Sequence, residues 1–344
     1  MDLSQFDYRL PPESIAQEPL ADRAASRLLV LRLREQCWED RIFRDFPEFL
    51  RPGDCLVLND SKVFPSRLFG RRSGVHSLPV GKKNPKRREY LSGEVEVLLL
   101  RPVSEDAKTW EALVHPGRKM RMAERVQFGG VEAEIVGRGE YGERTLRFHT
   151  DREIYELLQA IGHVPLPPYI KRPDTAEDRT RYQTVFARET GSVAAPTAGL
   201  HFTTEILDQC RRAGAEIAYV TLHVGLGTFQ PVRGEELHSE RFEITPENAR
   251  KIDAAKRVVA VGTTSVRAVE SRKLGRSGET DLFIRPGFQF QATGAMLTNF
   301  HLPQSSLLML VCAFAGRELV LSAYGHAVEA GYRFYSYGDC MLMV

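Results

Sequence analysis

Val258-Val259-Ala260-Val261-Gly262-Thr263-Thr264-Ser265-Val266-Arg267 reads as a buried strand, a tight hydroxyl-rich turn and the start of a helix that ends near Arg272. An apolar run without polar alternation suits a strand covered on both faces, as in parallel sheets flanked by helices. The pattern recurs on either side. A helix near 204–213, capped by Thr203 or Thr204, stops at Gly214 and feeds the strand Ile217 to Val224, and Thr245-Pro246-Glu247 begins another helix, ending near Arg257, with a cap, a first-turn proline and an acid for the dipole. Leu28-Leu29-Val30-Leu31 and Cys55-Leu56-Val57-Leu58 add apolar strands, Ser305 or Ser306 opens an apolar helix that Gly316 closes, a further helix spans about 318–329, and Tyr332 to Val344 is a last strand and tail. Strands alternating with helices define an α/β layered domain.

Between Val63 and His149 the texture changes to period two. Glu94-Val95-Glu96-Val97-Leu98, Trp110-Glu111-Ala112-Leu113-Val114, Val131 to Val136 and Arg144 to Phe148 alternate, with turns such as His115-Pro116-Gly117 and Gly129-Gly130 between them. Short strands at this spacing predict a small antiparallel β-barrel. The fold class is therefore α/β with two domains: residues 1–60 and 151–344 form a discontinuous α/β domain, and residues 61–150 an inserted barrel. Ile154, Leu157, Leu158 and Ile161 fall on one helical face after the barrel. Inside it, the stretch Gly70 to Gly93 carries seven basic residues, Arg71, Arg72, Lys82, Lys83, Lys86, Arg87 and Arg88, against Glu89 alone, which reads as a phosphate-backbone contact or as a solvated loop.

A chain of 344 residues has material for two cores, and 42% apolar and 27% charged residues are ordinary for a water-soluble protein. A net charge of +2 neither demands nor excludes a nucleic-acid partner. Five scattered cysteines, Cys37, Cys55, Cys210, Cys312 and Cys340, form no CxxC pair, which fits a reduced, cytoplasmic protein. No apolar run is long enough to span a bilayer and no export signal precedes Phe6, so no membrane association is expected.

Several stretches carry chemistry. The first turn after Gly262, with Thr263, Thr264 and Ser265, suits a carboxylate or phosphate, and Arg267 adds a planar fork of donors; alternatively Thr264 or Ser265 caps its own helix. Ser192 to Thr203, with Thr197, Gly199 and His201, combines small residues with a proline, which allows close backbone approach to a ligand or makes an ordinary loop. His223 to Val232 includes Gly225, Gly227 and Thr228 and follows a strand's carboxyl end, the usual ligand position in open α/β sheets. Glu240-Arg241-Phe242-Glu243 sets carboxylates beside a guanidinium, and Thr298-Asn299-Phe300-His301-Leu302-Pro303 sets an amide and an imidazole before an apolar helix. The histidines lack HExxH or finger spacing, so no metal is expected, and GxSxG is absent.

The ordered set Phe6-Asp7-Tyr8, Val57 to Val63, Val193 to Phe202, Leu222 to Phe229, Val261 to Arg267, Thr298 to Pro303 and Tyr335-Ser336-Tyr337-Gly338-Asp339 resembles the S-adenosylmethionine:tRNA ribosyltransferase-isomerase family of queuosine biosynthesis from end to end. The resemblance implies an α/β domain with an inserted barrel. It also implies transfer and isomerisation of the ribosyl group of S-adenosylmethionine onto 7-aminomethyl-7-deazaguanine at the wobble position of a tRNA anticodon stem-loop, giving epoxyqueuosine-tRNA, adenine and methionine. S-adenosylmethionine is then a consumed substrate and no separate cofactor is required. In this family reading a base removes a C5′ proton, adenine leaves as the ribose opens, the amine attacks, and epoxide closure expels methionine.

On these positions His223 or His301 is the base or acid, and Glu240 or Glu243 sits near the sulfonium or the amine. The Gly262 to Ser265 turn and Arg267 hold the methionine carboxylate, Arg241 orients the target base, and Asn59, Asp60 and Arg67 line a cleft at the domain junction. A monomer is expected. The basic stretch from Gly74 to Leu91 is longer than the family pattern leads one to expect, so its role stays open. A non-catalytic RNA-binding protein is the alternative; it binds tRNA without consuming S-adenosylmethionine.

Overall fold

Four strands run parallel in the middle of one sheet, in the order Glu216–Leu222, Asp54–Asn59, Arg257–Val261 and Thr293–Asn299. The computed structural model describes residues 3–73, 93–139, 142–225 and 239–344, so the basic stretch at 74–91 and the expected ligand residues Gly227 and Thr228 lie outside the described residues. Among the described residues the sheet has nine strands. On one side it continues with Glu240–Glu243 and Gly278–Thr280, each antiparallel to its neighbour. On the other side lie Cys340–Met343, Arg27–Arg32 and the edge strand Cys37–Ile42.

Both faces of this sheet are covered, which explains the unbroken apolar runs. Leu29, Leu31, Met296, Met341 and Met343 face a core built with the helices Ser306–Ala315 and Arg317–Glu329. Their sequence neighbours Leu28, Val30, Leu297 and Leu342 point the other way, into a core with Phe202 and with Ile206 and Cys210 of the helix Thr204–Arg212. Val57, Ala218 and Val220 pack with Ala268 and Val269 of the helix Thr263–Lys273. The expected caps are resolved as Thr203, Thr245 and Ser305, whose hydroxyls accept from the amides of Ile206, Asn248 and Leu308. All five cysteines are free thiols and only Cys37 is exposed.

Four strands of the sheet are absent from the sequence reading, the short Glu240–Glu243 and Gly278–Thr280 and two longer ones. Cys37–Ile42 is an edge strand carrying Glu39, Asp40 and Arg41, charges that blunt an edge and also mask its period. Thr293–Asn299 contains Gly294, Ala295 and Met296, poor β-formers held by tertiary pairing on both sides.

The chain divides into two compact units, residues 1–62 with 167–344, and residues 63–166. The second unit is a closed antiparallel barrel of six strands, ordered Glu143–His149, Thr109–His115, Glu94–Pro102, Arg67–Arg72, Arg125–Phe128 and Val131–Arg138. Val95, Val97, Trp110, Ala112, Ala133, Ile135, Leu146 and Phe148 fill its interior, as period two demands. The division falls at 62/63 and 166/167 rather than at 60/61 and 150/151. The reason is the helix Ile154–Ile161, whose Tyr155 ring lies edge-on to Phe64 and Trp110 with centroids 5.9 and 5.7 Å away. Among the described residues no single helix is long and apolar enough to cross a membrane.

Candidate functional site

The carboxyl ends of the four parallel strands bring together residues up to 240 positions apart in the sequence, from Asn59 to Asn299. Asn59 closes one strand and uses its whole amide. Its Nδ2 donates to the Leu222 carbonyl at 3.0 Å and to Thr264 Oγ1 at 3.2 Å, while its Oδ1 accepts from the amides of Leu222 and Ser61 at 3.0 and 3.1 Å. Asp60, next along, receives Arg188 Nη2 at 2.8 Å and Thr221 Oγ1 at 2.7 Å.

Gly262 closes the third parallel strand at φ +85°, a conformation glycine adopts freely, and caps the following helix without offering a side chain to the first-turn N–H groups. Ser265 Oγ turns back to the Val261 carbonyl at 2.7 Å and Thr264 Oγ1 accepts from Asn59, so neither hydroxyl caps the helix. The turn therefore presents free donors and the positive end of an eleven-residue helix.

These donors border a cavity of about 350 Å³, lined also by Thr197, Glu240, Arg267, Asn299, His301, Tyr169, Phe283 and Tyr335. His301 Nε2 lies 2.9 Å from Thr298 Oγ1, its amide donates to the Tyr324 hydroxyl at 3.1 Å, and the Tyr8 hydroxyl donates to its carbonyl. Burial pushes the His301 imidazole down to about 3, so the ring is uncharged at neutral pH. Arg267 is buried and already engaged: it pairs with Glu240 and donates to the carbonyls of Leu282 and Thr280 at 3.1 and 3.3 Å. Glu240 Oε1 in turn accepts from the Gly225 amide at 3.1 Å.

A second, open pocket of about 660 Å³ is lined by Glu189, Thr221, His223, Arg241, Glu243, Arg272 and Arg276. His223 is half-buried, its Nδ1 has no partner among the described residues, and burial followed by the Arg241 charge lowers its basicity. Its ring occupies the space beside Gly191, where a Cβ would lie 2.9 Å from His223 Nδ1. The two pockets share the strand Glu240–Glu243, whose alternation buries Glu240 and Phe242 and exposes Arg241 and Glu243.

The profile of a family described as "Queuosine biosynthesis protein" matches residues 3–343. The chain belongs to this queuosine biosynthesis family. It is 67% identical over 352 residues to the S-adenosylmethionine:tRNA ribosyltransferase-isomerase of Solibacter usitatus and 47% identical over 361 residues to that of Desulforamulus reducens, each comparison covering 100% of both chains. Among solved structures it resembles S-adenosylmethionine tRNA ribosyltransferase from Thermotoga maritima at 38% identity, with a TM-score of 0.55, covering 99% of this chain and 100% of that one.

In this queuosine biosynthesis protein the candidate residues named from the sequence fall into distinct groups. Thr197, Glu240, Gly262, Thr263, Thr264, Arg267, Asn299 and His301 line the cavity, and His223, Arg241 and Glu243 line the open pocket. The guanidinium expected to meet a carboxylate, that of Arg267, is instead neutralised by Glu240. Glu240 and Glu243 do not act as one cluster, because a strand sends them to opposite faces.

Asn59, Asp60 and Ser265 brace the site from below through the bonds given above. Gly199 is a packing residue, since a Cβ there would lie 2.8 Å from Phe186 and Thr184 atoms. His201 is buried behind it, with Nδ1 2.8 Å from Ser26 Oγ and its ring against Phe43, and burial pushes its imidazole down to about 4. Arg67 belongs to the barrel unit, where it donates to the Leu166 carbonyl at 2.9 Å and pairs with Glu96 at 3.1 Å. Tyr169 and Tyr335 also line the cavity and are absent from the sequence candidates; the run Tyr335 to Asp339 carries no chemical signal beyond the family resemblance.

Proposed function

We propose that the chain carries out the reaction its relatives are named for, taking the ribosyl group of S-adenosylmethionine to a tRNA that bears 7-aminomethyl-7-deazaguanine at the wobble position of its anticodon stem-loop. The observation that carries the reading is the cavity beside the uncapped first turn Gly262 to Ser265, of a size that ligand pockets commonly have. The first-turn N–H groups receive the methionine carboxylate. They take over the role foreseen for Arg267, whose pairing with Glu240 leaves the cavity wall without net charge and so without repulsion toward a sulfonium.

The sulfonium makes the C5′ hydrogens acidic. His301 lines the cavity as a neutral imidazole, so it enters as a proton acceptor, and the imidazolium so formed is the acid that gives the proton up to the departing adenine. Removal of the proton, departure of adenine with the C–N electron pair, attack by the amine nitrogen and closure of the epoxide with loss of methionine leave the sum of atoms and electrons unchanged. The open pocket suits the RNA side of the reaction: Glu189 and Glu243 attract the aminomethyl ammonium, and His223 takes the proton that must leave before the nitrogen can attack. S-adenosylmethionine is consumed as a substrate, and the enzyme acts as a cytoplasmic monomer.

The test is to mix the protein with S-adenosylmethionine and precursor tRNA and to follow free adenine and methionine. Adenine release with tRNA present supports the reading. Binding of tRNA without adenine release identifies a non-catalytic RNA-binding protein, and S-adenosylhomocysteine identifies a methyltransferase. His223→Ala and His301→Ala are then compared with the parent; parent rates from both would remove the proton-transfer roles.

A further inference from the structure

Tyr335 is the cavity residue that neither the packing nor the proton transfers above account for. It adopts φ +71°, a region that bulky L-residues rarely occupy. The surroundings hold it there. Its carbonyl accepts from Asn299 Nδ2 and from the Gly338 amide, both at 2.9 Å, and its ring stacks on Tyr169 with centroids 4.5 Å apart and planes at 24°. Tyr169 is fixed in turn by Ser336 Oγ at 2.6 Å. Strained backbone maintained by its neighbours is a feature of ligand-binding positions.

The hydroxyl gives the second, independent observation. Tyr335 is 5% exposed and its Oη is buried with no partner among the described residues. The hydroxyls of Tyr8, Tyr169, Tyr324, Tyr332 and Tyr337 are all engaged, by His301, Ser336, His301, Asp40 and Asp178. Folds retain few unpaired buried hydroxyls because each gives up its bonds to water for nothing, so this one points to a partner supplied from outside the chain.

The lining of the cavity says what that partner is. Opposite in character to the polar Gly262 to Thr264 turn, Tyr169, Phe283, Leu307, Leu310 and Tyr335 make an aromatic and aliphatic wall that suits a flat heteroaromatic ring and not a ribose or an amino acid. We propose that Tyr335 is a further catalytic residue, whose hydroxyl donates a hydrogen bond to a ring nitrogen of the purine of S-adenosylmethionine and stabilises that purine as it leaves. This rests on the functional reading above. As the glycosidic C–N bond breaks, its electron pair moves into the purine and the Tyr335 hydrogen bond strengthens against the growing negative charge. Tyr335 keeps its own proton, because burial holds the phenol far from ionisation. The proton that completes adenine is the one removed from C5′, so the step is redox-neutral and needs no further reactant.

Tyr335→Phe in the full-length protein retains the ring and the stack and removes only the hydroxyl. A structural role predicts a lower thermal midpoint; the proposal predicts an unchanged or higher one, since an unpaired buried group is deleted. It also predicts that kcat for adenine release falls on the order of 10- to 100-fold while KM for S-adenosylmethionine changes less than threefold. Adenine as a product inhibitor should weaken about tenfold in the same variant. Parent-like kcat together with parent-like inhibition by adenine would overturn the proposal. If the parent protein itself releases no adenine, the functional reading fails separately. Equilibrium dialysis with radiolabelled adenine then decides: tighter binding to the parent than to Tyr335→Phe supports the purine seat, and equal or absent binding overturns it.

Discussion

Asn59 Nδ2 donates to Thr264 Oγ1 at 3.2 Å, tying the end of one parallel strand to the first turn of the helix that follows the next. The same amide bonds both polar groups of the Leu222 backbone and the Ser61 amide, so it holds three segments in register at the edge where the cavity opens. Both of its hydrogens and both of its lone-pair positions are used.

Asn59→Asp tests that arrangement with almost no change of shape. An ionised carboxylate has no hydrogen to give, so it sets an acceptor against the Leu222 carbonyl and leaves Thr264 without its donor. About 1–3 kcal/mol of stability should be lost for each group left unpaired, read as a lower urea midpoint at an unchanged m-value. KM for S-adenosylmethionine should rise as well, because the first turn that borders the cavity loses its brace.

The Glu240–Arg267 pair predicts a different pattern. Both side chains are buried, at 7% and 9% exposure, so removing either charge strands the other. Arg267→Met or Glu240→Leu alone should each cost about 3–5 kcal/mol in chemical denaturation. The double variant should be more stable than the sum of the two losses predicts, because it removes both charges together. Strict additivity would show that the two groups do not depend on each other.

The residues explain what the sequence can and cannot reveal here. The barrel strands are legible because one face meets its core and the other water, so Val95 and Val97 alternate with Glu94 and Glu96. The parallel strands are legible for the opposite reason, both faces being covered. Thr293–Asn299 is a strand only because Arg257–Val261 and Cys340–Met343 pair with it, and pairing across such separations leaves no local mark. The site shows the same limit. Gly262, His223 and His301 stand out by position after strands, but the neutralisation of Arg267 by a residue 27 positions away appears only once the strand Glu240–Glu243 is paired. An unpartnered hydroxyl such as that of Tyr335 has no sequence signature at all, since it is defined by what surrounds it.

Acid should destabilise this fold above the range where carboxylates titrate. Burial lowers His201 from 6.5 to about 4, partly opposed by the neighbouring Asn299 side chain, and lowers His301 from 6.5 to about 3. Above pH 6.5 neither state binds protons at these rings, so their contribution is constant. As the pH falls below 6.5, the unfolded chain takes up protons that the folded chain refuses, and stability falls until the folded rings titrate near 4 and 3. Each ring contributes a slope of at most about 1.4 kcal/mol per pH unit. Urea midpoints at pH 7, 6 and 5 should therefore decline, and His201→Gln should flatten the decline. A midpoint independent of pH over that interval would show that these rings are not buried as neutral groups.

Gly191→Ala separates the two pockets. A Cβ at this position, where φ is +151°, would lie 2.9 Å from Cε1 and Nδ1 of His223, so the imidazole must shift, and the three atoms nearest the new methyl group all belong to that ring and not to the cavity. Displacing a proton-transfer group by about 1 Å costs on the order of 100-fold in rate. The expected outcome is a fall of about that size in kcat/KM for precursor tRNA, with binding of S-adenosylmethionine measured by calorimetry left as in the parent. Because His301 is already neutral from pH 5 upward, any inflection of kcat/KM between pH 5.5 and 8 belongs to another group, and in Gly191→Ala it should move if that group is His223. An unchanged rate and an unchanged profile would take His223 out of the reaction and leave the open pocket without a chemical role.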